Sequence, residues 1–155
     1  MTLFLPLWTG WVAIKDGDDV ARAQFDGHYS RYFYADGRKP KLFVGPGEKM
    51  VLTTPDRLAL FVWRKFKSGD GQLGVNCAVF SNRGPELSSD LIRHADILAD
   101  LRWPGERHFT YVNPRKTASR RSRHAEPGAC FIHAGWRVCG ITKRRKLTIL
   151  ERLPA

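Results

Sequence analysis

One stretch constrains the fold more than any other. Residues 74–99 read GVNCAVFSNRGPELSSDLIRHADILA. The apolar, β-branched run from Val75 to Ser81 predicts a strand, and Gly84-Pro85 predicts a turn after it. Leu91, Ile92, Ala95, Leu98 and Ala99 then fall at i, i+1, i+4, i+7 and i+8, the spacing of one buried helix face. Asp90, Arg93, Asp96 and Asp100 are expected mostly on the opposite, solvated side. Pro104-Gly105 stops the helix. A strand that turns into a helix N-terminus can hold an anionic group. It can equally be a plain change of direction, with Ser88 or Ser89 capping the first turn.

The flanking sequence supplies the other layers. A short strand runs to about Lys15, and Asp16 to Gly27 carries capping acids followed by a short helical pattern. Two apolar runs around Gly45-Pro46-Gly47 predict a hairpin. LALFVWRKF (58–66) and HFTYV (108–112) predict strands, ACFIHAGW a short helix ending at Gly135, and RVCGIT with LTILERL a closing hairpin around KRRK (143–146). One mostly antiparallel sheet with helices on both faces satisfies this order, in a single α+β domain over residues 1–155.

Charge narrows the partners. The chain has 26 Lys and Arg against 15 Asp and Glu, a net charge of +11. Such an excess points to DNA, RNA or a phosphate-rich ligand. Cys77, Cys130 and Cys139 are odd in number and form no CxxC, which suits a reducing cytoplasm. The five histidines show neither HxxxH nor HExxH spacing, so no metal is expected. The apolar start MTLFLPLWTGWVAI lacks a basic n-region and is not expected to be a signal peptide. No run reaches the ~20 apolar residues of a membrane span.

The element order and the ending CFIHAGWRVCGITKRRKLTILER resemble the GNAT acyltransferase fold, from about Leu42 onward. The resemblance implies that the strand ending near Phe80 or Ser81 splays from the strand at 108–112. It also implies a coenzyme A pyrophosphate turn of the form Q/R-x-x-G-x-G/A before the long helix. Here that turn is SNRGPELSS, with one glycine, a proline that has no amide hydrogen, and Glu86 beside the anion's place. Within the superfamily the chain resembles the Mom-like phage DNA-modification proteins, through HYS (28–30), Arg64, the Ser88-Ser89 pair and the end of TYVNP. That resemblance implies conversion of adenine in double-stranded DNA to its N6-carbamoylmethyl form, an anti-restriction activity in the host bacterial cytoplasm.

What the resemblance implies at individual positions is as follows. Tyr29, Arg64, Ser88 and Asn113 are the catalytic candidates, although an amide such as Asn113 cannot serve as a base. His28, Ser30 and Tyr111 would bind substrate, and Asn82, Arg83, Gly84 and Ser89 the donor. Tyr29 can stack on a base, His28 can move a proton near neutral pH, and Arg64 can hold a phosphate bidentately. Arg115, Lys116, Arg120, Arg121 and Arg123, with Lys143, Arg144 and Arg145, are expected on nucleic-acid backbone. The donor is acetyl-coenzyme A or another activated species such as glycyl-tRNA, which would make tRNA a second partner. Two other readings stand beside this one: an N-acyltransferase acting on a protein or small amine, and a non-catalytic nucleic-acid-binding module on the same scaffold.

Overall fold

The computed structural model describes residues 10–26, 44, 47–66, 70–114 and 128–154. His28, Tyr29, Ser30, Gly45, Pro46, Arg115, Lys116, Arg120, Arg121 and Arg123 lie outside them, and with them much of the 45–47 hairpin signal. In chain order the elements are β1 (Val12–Ile14), α1 (Asp19–Asp26), β2 (Glu48–Thr53), β3 (Ala59–Lys65) and β4 (Val75–Asn82). Then follow α2 (Ser88–Arg102), β5 (His108–Val112), α3 (Ala129–His133), β6 (Arg137–Ile141) and β7 (Thr148–Arg152). The seven strands form one sheet in the order β1-β2-β3-β4-β5-β7-β6. Every pairing is antiparallel except β4 with β5, the two strands joined by the α2 crossover.

Alternation along β3 builds two cores. Ala59, Phe61 and Trp63 face α2 and α3, in a cluster with Leu91, Ile92, Ala95, Ala99, Phe131 and Trp136. Leu60 and Val62 face the other way, onto Val51, Val79 and Ala21 of α1. Helices therefore cover both sheet faces. Phe61 and Trp63 are fully buried, and truncating either to Ala removes about 3–5 kcal/mol. Two indoles pin α2 to the sheet: Trp11 Nε1 donates to Leu91 O at 2.8 Å and Trp63 Nε1 to Ala95 O at 3.1 Å. Asp18 caps α1 by accepting the Ala21 amide at 3.1 Å.

β4 carries an irregularity that matters for the site. Val62 pairs with Val79 and Trp63 with Cys77, which leaves Ala78 without an opposite residue. One extra residue reverses the facing of everything after it. Val75 and Cys77 accordingly lie in the α2 core, Val79 in the α1 core, and Phe80 back against the α2 side. Just before β4, the chain approaches the start of β5 closely. Gly74 has φ +118°, and a Cβ there would lie 2.1 Å from Arg107 O. Only glycine permits that contact, and it brings Val75 N to Arg107 O at 2.7 Å.

Candidate functional site

β4 and β5 pair over three residues only: Val75 with His108, Asn76 with Phe109, and Cys77 with Thr110. β4 then continues to Asn82, while β5 turns to β7 for its remaining partners. The parallel pair is thus closed at its lower end and open at its upper end, with the Ala78 bulge where it parts. The upper edge collects several candidates. β4 ends there at Asn82, α2 begins there at Ser88, β5 leaves there through Asn113, and the β6–β7 turn lies there because Thr148 pairs with Val112.

Asn82 organises the turn at this edge. Its amide nitrogen donates to Glu86 O at 2.7 Å and to Ser88 Oγ at 2.9 Å, and its Oδ1 accepts the Gly84 amide at 3.0 Å. Gly84 packs closely, its missing Cβ 3.2 Å from Leu58 Cβ. The helix is not capped by Ser88 or Ser89. Leu87 occupies the N-cap position with no side-chain hydrogen bond, because the chain enters α2 one residue earlier than the serines suggest. Ser88 instead accepts from Asn82, and Ser89 is buried.

Three consecutive positions of this turn have no amide to offer a pyrophosphate. The Gly84 amide is already given to Asn82, Pro85 has none, and the Arg83 amide donates to Leu58 O at 2.8 Å. Exposed Glu86 adds a negative charge beside the helix start. What the edge offers is a hydrogen-bonding rim flanked by exposed Arg83 and Glu86.

Tyr111 lies on the sheet face opposite α2, and its hydroxyl donates to the Asp70 carboxylate at 2.8 Å. Asn113 follows the end of β5, half-buried. Lys143, Arg144 and Arg145 are exposed in the β6–β7 turn, which Thr142 closes through its backbone and hydroxyl with Leu147. Arg64 is placed elsewhere. It pairs with Asn76 at the lower, closed end of β4, its guanidinium carbon 4.4 Å from the centre of the Phe66 ring. Burial holds its pKa below the usual value. Asn82, Arg83, Gly84, Ser88, Ser89 and Asn113 are therefore gathered at one edge, and Arg64 is not among them.

The closed end holds a polar network that sequence reasoning missed. Asp96 is buried, not solvated: His108 Nδ1 meets its Oδ1 at 2.6 Å and Trp136 Nε1 donates to its Oδ2 at 2.9 Å. His108 is fully buried, 4.7 Å from the Trp63 ring. Its Nε2 lies 3.2 Å from Asp100 Oδ1, without the alignment of a hydrogen bond. Arg152 pairs with Asp100 at 2.9 Å. Burial opposes the Arg152 charge, yet Asp100 and Asp96 hold its pKa above the ordinary value. A signal was present: Ile92, Ala95, Asp96 and Ala99 are spaced i, i+3, i+4 and i+7, which puts Asp96 on the buried stripe.

All three cysteines are free thiols. Burial pushes Cys77 well above the ordinary thiol range and raises Cys130 as well, which makes both poor nucleophiles. No helix among the described residues is long and apolar enough to cross a membrane.

No protein-family model matches this chain, and no curated protein matches it. Among solved structures it is similar to the crystal structure of an acyl-CoA N-acyltransferase from Pseudomonas aeruginosa. The TM-score is 0.55 at 15% identity, over 94% of this chain and 98% of that one. Together with the parallel β4–β5 pair that parts at its upper end, this shows that the chain has the GNAT-like α+β fold.

Proposed function

We propose that this chain is a group-transfer enzyme that modifies adenine in double-stranded DNA, giving the N6-carbamoylmethyl base. One observation carries the reading. The opening between β4 and β5 has amide and hydroxyl side chains on its rim, and the Lys143–Lys146 turn lies at the same edge of the sheet. A reacting group held in that opening would sit beside a cationic surface suited to phosphate backbone. The net charge of +11 supports a nucleic-acid substrate. Adenine N6 is inaccessible inside a duplex, so the base must be extruded.

The engaged amides of Arg83 and Gly84, and Pro85 beside them, favour a donor other than coenzyme A, and a glycyl ester such as glycyl-tRNA satisfies the product. The glycine nitrogen attacks adenine C6 and the exocyclic nitrogen leaves as ammonia. Ammonia then attacks the ester carbonyl, the carbon–oxygen bond breaks, and the RNA hydroxyl departs with a proton. The new base carries NH–CH2–CO–NH2 at C6, and every atom is accounted for. An α-amino group with a pKa of about 7.7–8.0 is partly neutral at pH 7 and attacks without a strong base. In this reading Ser88 and Asn113, at the two sides of the opening, hydrogen-bond donor and base.

The test is nucleoside mass spectrometry of plasmid DNA from bacteria making the protein. A carbamoylmethyl-deoxyadenosine peak that disappears in Ser88→Ala and Asn113→Ala variants supports the reading; unmodified DNA from folded protein overturns it. Modification in vitro with acetyl-coenzyme A and no RNA would overturn the glycyl donor alone. The fold it shares with the Pseudomonas enzyme supports a second reading, acyl-coenzyme A-dependent acylation of an amine. Tight coenzyme A binding together with unmodified DNA would favour it.

A further inference from the structure

β6 is the outermost strand of the sheet, and its two faces differ. On the face turned away from α2 the charges satisfy one another: Arg107 Nε lies 2.7 Å from one Glu151 oxygen and Arg137 Nη2 2.7 Å from the other. The face on the α2 side is apolar and open to solvent. Cys139 is an extra residue in β6, since Val138 pairs with Leu150 and Gly140 with Ile149. Positions three apart in a regular strand face opposite ways. The extra residue brings Val138 and Ile141 to one face, that of Leu150 and the α2 core. Val138 is 49% exposed and Ile141 64%.

Ile141 leads straight into the cationic turn. Thr142 fixes the junction: its amide donates to Leu147 O at 2.9 Å, and its hydroxyl accepts the Leu147 amide at 2.9 Å. Lys143, Arg144, Arg145 and Lys146 are all exposed beside this aliphatic side chain. That neighbourhood selects the partner. Like charge repels a second copy of this chain and draws in a polyanion. The apolar surface of a duplex lies chiefly between its stacked base pairs, where apolar side chains enter as wedges. Ile141 pairs with Thr148, and Thr148 with Val112 at the end of β5. The side chain therefore stands two strand spacings, about 10 Å, from the β5 side of the opening. One duplex can meet both.

We propose that Ile141 enters the base stack as an apolar wedge and fills the gap left by the extruded adenine, with Lys143–Lys146 on the flanking phosphates. The proposal rests on the DNA-modification reading and supplies what that reading needs, a means of holding the base out of the stack.

Fluorescence anisotropy with two duplexes of equal length and charge tests it, one intact and one carrying a central abasic site. The native chain should bind the abasic duplex roughly ten-fold tighter, because that gap takes the aliphatic side chain without unstacking a base. Ile141→Ala should bind the two alike. Ile141→Leu, which keeps the aliphatic bulk, should retain the preference, and Arg145→Ala should weaken both duplexes equally. A native chain that binds both duplexes alike overturns the wedge, as does a preference that survives in Ile141→Ala. Plasmid nucleoside analysis run in parallel separates the two claims. Modified adenine without an abasic preference keeps the function and removes the wedge. An Ile141-dependent preference with unmodified DNA keeps the wedge and removes the modification.

Discussion

The two ends of the β4–β5 pair are built on opposite terms. At the lower end the strands are paired, and the space between them and α2 is filled by His108, Asp96, Trp63 and Trp136 in mutual contact. At the upper end the same strands have parted, and the side chains there are small or amide-bearing and half-exposed: Ser81, Asn82, Ser88 and Asn113. Polar groups occur in both places. Below, they satisfy one another and are shut off from water, so they specify one packing. Above, they bond within an exposed turn that stays in contact with water. The Ala78 bulge marks the boundary, since it reverses the strand's facing where pairing with β5 ends.

The largest expected effect strikes the closed end. Asp96→Ala strands Trp136 Nε1 and His108 Nδ1 in the core and should cost about 3–5 kcal/mol, read as a lower urea midpoint. A loss below about 1 kcal/mol would show that water enters the network and that this end is not closed. Next is Gly74→Ala, which forces a side chain onto the Arg107 carbonyl at a positive φ. It should cost about 2–4 kcal/mol by the same measurement, through loss of the contact that starts the parallel pair.

Asn82→Ala probes the open end. It removes three hydrogen bonds from a partly exposed turn and should cost about 1–2 kcal/mol, with faster hydrogen exchange at the Gly84 amide. A smaller effect appears only in acid. Arg107, and then Arg137, hold the Glu151 carboxyl below its ordinary value of 4.5. A depressed carboxyl stabilises the fold fully above that value, and the contribution drains away as pH falls through the folded pKa. Melting temperature should therefore drop more steeply below about pH 4.5 in the native chain than in Glu151→Gln. Smallest in stability are Arg144→Ala and Arg145→Ala, each within about 0.5 kcal/mol of the native chain. Each should nonetheless lower the salt slope of DNA binding by about one; unchanged slopes would remove this turn from the interface.

Much of the scaffold was legible before the structure. The helix from Ser88, the strand at 108–112 and the closing hairpin follow from apolar spacing and turn residues, and they occur within a residue or two of expectation. Asp96 was misjudged because a carboxylate usually marks the wet face, and its spacing on the buried stripe was outweighed by its charge. The serines were misjudged as caps because capping depends on backbone angles at Leu87, φ −68° and ψ 125°, which composition does not reveal. Arg64 was read as a site residue because it ends an apolar strand, and it lies at the opposite end of the sheet from Asn82 and Ser88. Which end of a strand reaches a site depends on strand direction in the sheet, and β3 runs opposite to β4.

The sequence by itself determined the period of each segment, the charge balance and the order of elements. These are local or summed properties, set by side-chain volume, branching and charge. The tertiary structure alone decided where β4 and β5 part, that Asp96 meets His108 across 12 positions of chain, and that Arg107 and Arg137 converge on Glu151. Those are pairings between distant residues. They arise from strand register and its irregularities, which the pattern within any one segment does not specify.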